Sequence, residues 1–183
     1  DRQDRENSYL RDQFQPHAFW NGAEMAHVED DHHAMIFGQV AFGTACSDLV
    51  RSFGIEPQAA IGYSLGESAA LFSLGAWRDR DLMLQRMLAS TLFTEDMGGP
   101  CLAARQVWKL KEDEEVDWTL GVVNLPASEI RKALKNRKRV YLLIVNTPGE
   151  CVIGGQGIAV RRLVEKLGCS FFELKGVTAV HCE

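Results

Sequence analysis

Apolar positions recur along this chain in two rhythms. Over 33–53, Ile36, Val40, Ala41, Leu49, Val50 and Phe53 fall near helical spacing, and Gly54 follows as a stop. After Pro57 comes a short continuous run, Ala59-Ala60-Ile61-Gly62-Tyr63, which predicts a buried strand. A second helix is predicted over 66–74, closed by Gly75. A third is predicted over 79–93, with Leu82, Met83, Met87 and Leu88 on its inner face. Gly98-Gly99-Pro100 breaks the pattern, and a short helix to Trp108 follows. Residues 1–31, punctuated by Pro16, Asn21 and Gly22, read as loop and short helical pieces.

Beyond the acidic linker 109–117 (KLKEDEEVD) the rhythm changes. Strands are predicted over 118–123, 140–145, 151–153 and 170–174. Between them lie helices over 126–135, with Pro126 near the first turn, and 157–167, stopped by Gly168. A Thr147-Pro148-Gly149 turn joins the second strand to the third. The order β-α-β-β-α-β is that of a ferredoxin-like unit. The expected fold class is therefore α/β: an α/β-hydrolase-like parallel-sheet main body with an inserted ferredoxin-like subdomain. The expected boundaries are 1–114 for the body, 115–175 for the subdomain and 176–183 for the return to the body.

Composition removes whole classes of function. With 183 residues, 46% hydrophobic and 25% charged, the chain has material for one sizeable core, which excludes wholesale disorder. A net charge of −5 implies no basic face and argues against nucleic acid. No apolar run approaches a membrane span, and DRQDRENSYLRDQ is too charged for a signal peptide. Cys46, Cys101, Cys151, Cys169 and Cys182 are odd in number and lack C-x-x-C spacing. They predict free thiols, most of them buried, and a reducing, cytoplasmic setting. Asp30-Asp31-His32-His33 reads as a charged helix N-terminus rather than a metal cluster. Cys182 beside His181 is a poor pair, because adjacent residues in an extended segment point to opposite faces.

The chemistry concentrates at Gly62-Tyr63-Ser64-Leu65-Gly66-Glu67, a G-x-S-x-G set between an apolar run and a helix. A tight turn there pushes a serine off the strand end, and small glycines let backbone pass close. The helix start behind Ser64 offers free N–H groups, so the Leu65 amide is placed to donate to an oxyanion. Ser64 as a simple helix N-cap is the bland alternative. A serine nucleophile needs a base. Four of the five histidines lie within the first 33 residues; His181 alone follows the motif, 117 residues on (181 − 64). It stands where the chain leaves the subdomain, which makes it the candidate general base and acid.

These residues resemble the malonyl-CoA:acyl-carrier-protein transacylase family. The resemblance rests on Gly62–Glu67, Gly75, Asp81, Val145-Asn146-Thr147-Pro148-Gly149 with Cys151–Gly155, and Thr178-Ala179-Val180-His181. It runs from about His33 to the C-terminus, and within the family it is nearest to acyltransferase domains of polyketide and polyunsaturated-fatty-acid synthases. It implies a ping-pong reaction in which Ser64 attacks an acyl-CoA thioester and His181 takes its proton. The ester then passes to the phosphopantetheine thiol of an acyl carrier protein. It implies Asn146 as a substrate-binding residue, no metal, no tightly bound cofactor, and neighbouring synthase domains as partners.

The chain also departs from the family. Tyr63 stands where a histidine is usual. The carboxylate-binding arginine is expected 25 residues after the serine, where this chain has Ala89; Arg86, one helical turn earlier, is the candidate substitute. The block ending in His181 matches neither the usual malonyl nor the usual methylmalonyl form. The family's first strand, with its glycine-glutamine loop, and the segment after the histidine have no counterpart here. The chain is accordingly expected to be a middle portion of a longer domain, inactive by itself. Two alternatives stay open. One is a serine hydrolase or thioesterase, whose triad acid would fall at Asp113 or Asp117. The other is a catalytically silent docking module of a synthase.

Overall fold

The computed structural model describes residues 32–174 and 179–182, so the reading of 1–31 lies outside the described residues. The chain divides into two compact units, Asp1–Ser90 and Thr91–Glu183.

In the first unit α1 (His32–Ser52) is built on the stripe Phe37, Val40, Ala41 and Thr44, spaced i, i+3, i+4, i+7 and buried. The Thr44 hydroxyl is satisfied by donating to the Val40 carbonyl at 2.7 Å. Farther along, Leu49, Val50 and Phe53 are exposed, so the apolar stripe expected over 33–53 is buried only in its N-terminal half. α2 (Gly66–Ser73) packs on α1, where Gly43 lets the Ala69 methyl approach closely. α3 (Arg80–Leu88) is capped by the Asp79 carboxylate, which accepts from the Leu82 amide at 2.8 Å.

α3 corrects the sequence reading in extent and phase: it ends at Leu88 rather than at residue 93, and of the four residues expected on its inner face only Met87 is buried. Its buried residues are Arg80, Leu84 and Met87, while Leu82 and Leu88 are exposed. The true inward stripe begins with a charged residue, which hides it from an apolar pattern. A second correction concerns 59–63. This run pairs with no strand among the described residues, and Ile61 is 100% exposed. A parallel strand takes its hydrogen bonds and both covering layers from neighbours. The first unit presents only helices among its described residues, so the run finds no pairing partner among them.

In the second unit a π turn (Leu92–Asp96) leads to α4 (Leu102–Trp108). Then come β1 (Trp118–Val123), α5 (Ala127–Leu134), β2 (Val140–Thr147), β3 (Glu150–Gln156), α6 (Gly157–Leu167) and β4 (Phe171–Glu173). The predicted β-α-β-β-α-β order is present, and its elements end within three residues of their expected ends, two of them with no offset. All neighbouring strands are antiparallel, in the order β2-β3-β1-β4. Both helices pack on the sheet around Val123, Ile130, Val140, Cys151, Ile153, Val160 and Leu163. A second cluster joins Cys101, Ala104 and Trp108 to Ala179, with Trp118 and Tyr141 packed against it. Trp108 stacks on Trp118 at 5.8 Å, and its indole N–H donates to the Tyr141 hydroxyl at 2.9 Å.

The 109–117 linker is also tied down. Arg105 donates to the carbonyls of Lys111 and Glu114, and the Lys111 amide donates to the Glu114 carboxylate. At its end the Asp117 carbonyl accepts from the Gly157 amide, and its carboxylate meets Arg161 at 3.3 Å.

Candidate active site

Ser64 sits on the turn that opens α2, in the left-handed region at φ 50°. Among the described residues of the first unit it alone, glycines apart, has positive φ. An L-residue held there costs about 1–2 kcal/mol, and such strain collects at functional sites. The turn is closed by two bonds of 2.9 Å, from the Gly66 amide to the Tyr63 carbonyl and from the Glu67 amide to the Ser64 carbonyl. Leu65 is the cap residue of α2, at φ −59° and ψ −23°, and makes no side-chain capping bond. Ser64 therefore stands one residue before the cap. The Leu65 amide follows it directly at the positive end of α2, where a developing anion is favoured.

The two glycines of the motif do different work. A Cβ on Gly62 would collide with the backbone of Gly66 and Glu67, so only glycine lets the chain fold back this tightly. A Cβ on Gly66 would meet nothing within 4 Å, so the close approach expected at both glycines exists at Gly62 only.

His181 lies in the second unit and is exposed. It too has a left-handed backbone, at φ 61°. The segment before it is anchored, since Ala179 is buried against Cys101, Ala104 and Trp108 and its amide donates to the Met97 carbonyl at 2.7 Å. Cys182 is half-buried, and its thiol donates to the Ala179 carbonyl at 3.9 Å. Burial pushes the Cys182 and Cys101 thiols up from their ordinary values, which keeps them protonated and poor nucleophiles.

Arg86 is exposed in the last turn of α3, and Ala89 is the residue that caps that helix. Asn146 lies near the end of β2, where its side-chain amide donates to the Glu150 carboxylate at 2.9 Å across the β2–β3 hairpin. Asp117 is taken up by Arg161 and the start of α6, and Asp113 stands in an exposed turn of the linker. Neither carboxylate is placed at a strand's C-terminal end, where a hydrolase triad acid belongs.

One buried charge went unread in the sequence. Arg80 is 2% exposed, and a guanidinium taken out of water has to be partnered. Its only sequence signal is a cation in the first turn of a helix, against the dipole. Among the described residues no three His, Cys, Asp or Glu side chains converge as metal ligands, and no helix is long and apolar enough to cross a membrane.

The acyl transferase domain family matches residues 30–179. A 6-methylsalicylic acid synthase of Aspergillus terreus is 30% identical over 69% of this chain. A polyunsaturated fatty acid synthase polypeptide of Thraustochytrium is 28% identical over 73% of it. The chain spans only 6% and 7% of these two proteins. Among solved structures, the acyltransferase domain of the polyketide synthase PpsC of Mycobacterium tuberculosis aligns with a TM-score of 0.66 at 20% identity, over 95% of this chain and 48% of that one. The acyltransferase domain from the second module of the salinomycin polyketide synthase aligns at 0.66 and 22%, over 94% and 38%.

Proposed function

Because the chain belongs to the acyl transferase domain family, we propose that Ser64 is the nucleophile of a two-step acyl transfer. Its hydroxyl oxygen attacks the thioester carbonyl of an acyl-CoA while His181 accepts the proton. The carbonyl oxygen becomes an oxyanion that takes a hydrogen bond from the Leu65 amide. Collapse breaks the C–S bond, coenzyme A leaves with the proton from His181, and Ser64 carries the acyl ester. The phosphopantetheine thiol of an acyl carrier protein then attacks that ester, giving its proton to His181. Ser64 is regenerated as the leaving alkoxide takes the proton back. Coenzyme A and phosphopantetheine carry the acyl group, and no metal or resident cofactor takes part.

The observation that carries this reading is Ser64 at φ 50° on a glycine-walled turn before a helix. A serine kept for capping or solvation alone needs no such backbone. The β2-β3-β1-β4 order supports a ferredoxin-like subdomain over 115–175. In this reading 1–114 belongs to an α/β-hydrolase-like body, to which 176–183 returns with His181. The setting is cytoplasmic, among neighbouring domains of a synthase. Asn146 acts on substrate from the β2–β3 hairpin, and Arg86 receives an acyl carboxylate in place of the missing arginine at position 89.

The test is transfer against hydrolysis. Full-length protein is given labelled malonyl-CoA with and without a phosphopantetheinylated carrier protein. Label on the carrier supports the reading; label released only as free acid refutes it in favour of a thioesterase. In the same assay Arg86→Ala loses malonyl transfer at least tenfold more than acetyl transfer, and equal losses remove Arg86 from substrate recognition.

A further inference from the structure

In the second unit the end of α4 meets the start of β2 through one arginine. Arg139 stands immediately before β2 with a left-handed backbone, at φ 63°. Its half-buried guanidinium lies over the Trp108 ring, 5.7 Å from the centroid, and donates to the Trp108 carbonyl at 2.8 Å. The Arg139 carbonyl accepts from the Gln156 amide at 2.8 Å. A Cβ on Gly155 would strike that carbonyl, so only glycine at 155 lets the Arg139 backbone lie where it does.

Ending α4 does not require this arrangement. Lys109 already caps the helix locally, its left-handed backbone sending its amide to the carbonyls of Arg105 and Gln106. A cation suits the carbonyl end of a helix, but a strained backbone opposes its coming from here. What Arg139 adds is a fixed place for one side chain. Trp108 is buried, and Arg139 holds it by ring and carbonyl. Its indole N–H is held by the Tyr141 hydroxyl, two residues after Arg139 on β2. Both anchors thus come from the same strand start.

Trp108 is in turn the wall behind the His181 segment. It packs with Ala179 in the cluster that includes Cys101 and Ala104. The Ala179 amide donates to the Met97 carbonyl at 2.7 Å, and the Cys182 thiol reaches back to the Ala179 carbonyl at 3.9 Å. His181 lies inside the bend so closed, at φ 61°. Moving the indole therefore moves the bend as a whole, imidazole included.

We propose that Arg139 is a positioning residue for His181, acting through Trp108 and the packing of Ala179. This rests on the reading of His181 as the base that activates Ser64. A reacting group displaced by about 1 Å can lose about 100-fold in rate. Binding of the acyl-CoA does not pass through the imidazole, so the loss falls on kcat rather than on KM.

The experiment uses full-length protein and follows acylation of Ser64 by malonyl-CoA. Arg139→Met keeps the bulk of the side chain and removes its charge and donors. It should acylate at least tenfold more slowly, with KM for malonyl-CoA within twofold of the parent. The same substitution is then made in His181→Ala, with imidazole added to supply a base. There it should change the rate less than twofold, because the group it positions is gone. An Arg139→Met rate within twofold of the parent overturns the proposal. A tenfold loss that persists in His181→Ala overturns it too, since the arginine then acts on the fold or on another group. If Arg139→Met does not fold, Tyr141→Phe decides, because it removes only the acceptor of the Trp108 N–H. It should slow acylation at least threefold in the parent and not in His181→Ala, and a parent-like rate counts against the proposal. A parent that forms no Ser64 ester is the separate failure of the transferase reading, and the proposal falls with it.

Discussion

Ser64 is held at φ 50°, a conformation that glycine adopts without penalty and L-residues do not. Ser64→Gly should therefore unfold with a free energy about 1 kcal/mol higher than Ser64→Ala, which lacks the same hydroxyl but keeps the strained backbone. Denaturant midpoints of the two variants check this, and a glycine variant no more stable than the alanine one would mean that the turn is not strained. The identity of this residue was legible in its G-x-S-x-G setting, because that spacing has a local mechanical meaning. Its strain was not, since φ is imposed by Gly62 folding back on Gly66 and Glu67. Arg80 was illegible for another reason. Its burial comes from the packing of α3, and an arginine inside the inward stripe reads in sequence as a polar position.

At the scale of elements, the two motif glycines make opposite predictions. Gly62→Ala puts a methyl into fixed backbone and should cost about 2 kcal/mol together with the ester-forming activity. Gly66→Ala meets open space at the first position of α2 and should be neutral or stabilising by about 0.5 kcal/mol. Paired thermal unfolding curves separate them, and equal costs would contradict the geometry. The strands of the second unit were readable to within a few residues because that unit supplies every partner they need. β1 pairs with β3 and β4, and Thr147–Glu150 makes the β2–β3 hairpin locally. The run 59–63 has the same apolar character and forms no strand, because a parallel strand depends on neighbours that no local pattern records.

At the scale of the whole molecule, the thiols report on packing. Burial raises the pKa of Cys101, Cys151, Cys169 and Cys182, whereas Cys46 is exposed. A raised folded-state value means that the folded chain holds these protons more tightly than the unfolded chain. Their stabilising contribution is present below the ordinary thiol range and is lost as pH rises through the folded values. At pH 8 iodoacetamide should label Cys46 first, with the other four slow until alkali or denaturant is added; uniform labelling would contradict the burial. Above these details stands one claim, that Ser64 forms an acyl ester. The most direct measurement is the intact mass of full-length protein after brief exposure to malonyl-CoA, with Ser64→Ala alongside. One malonyl adduct is expected on the parent, mapped to the peptide containing Ser64, and none on the variant. An adduct that survives in Ser64→Ala, or no adduct on the parent from malonyl-, methylmalonyl- or acetyl-CoA, would contradict it.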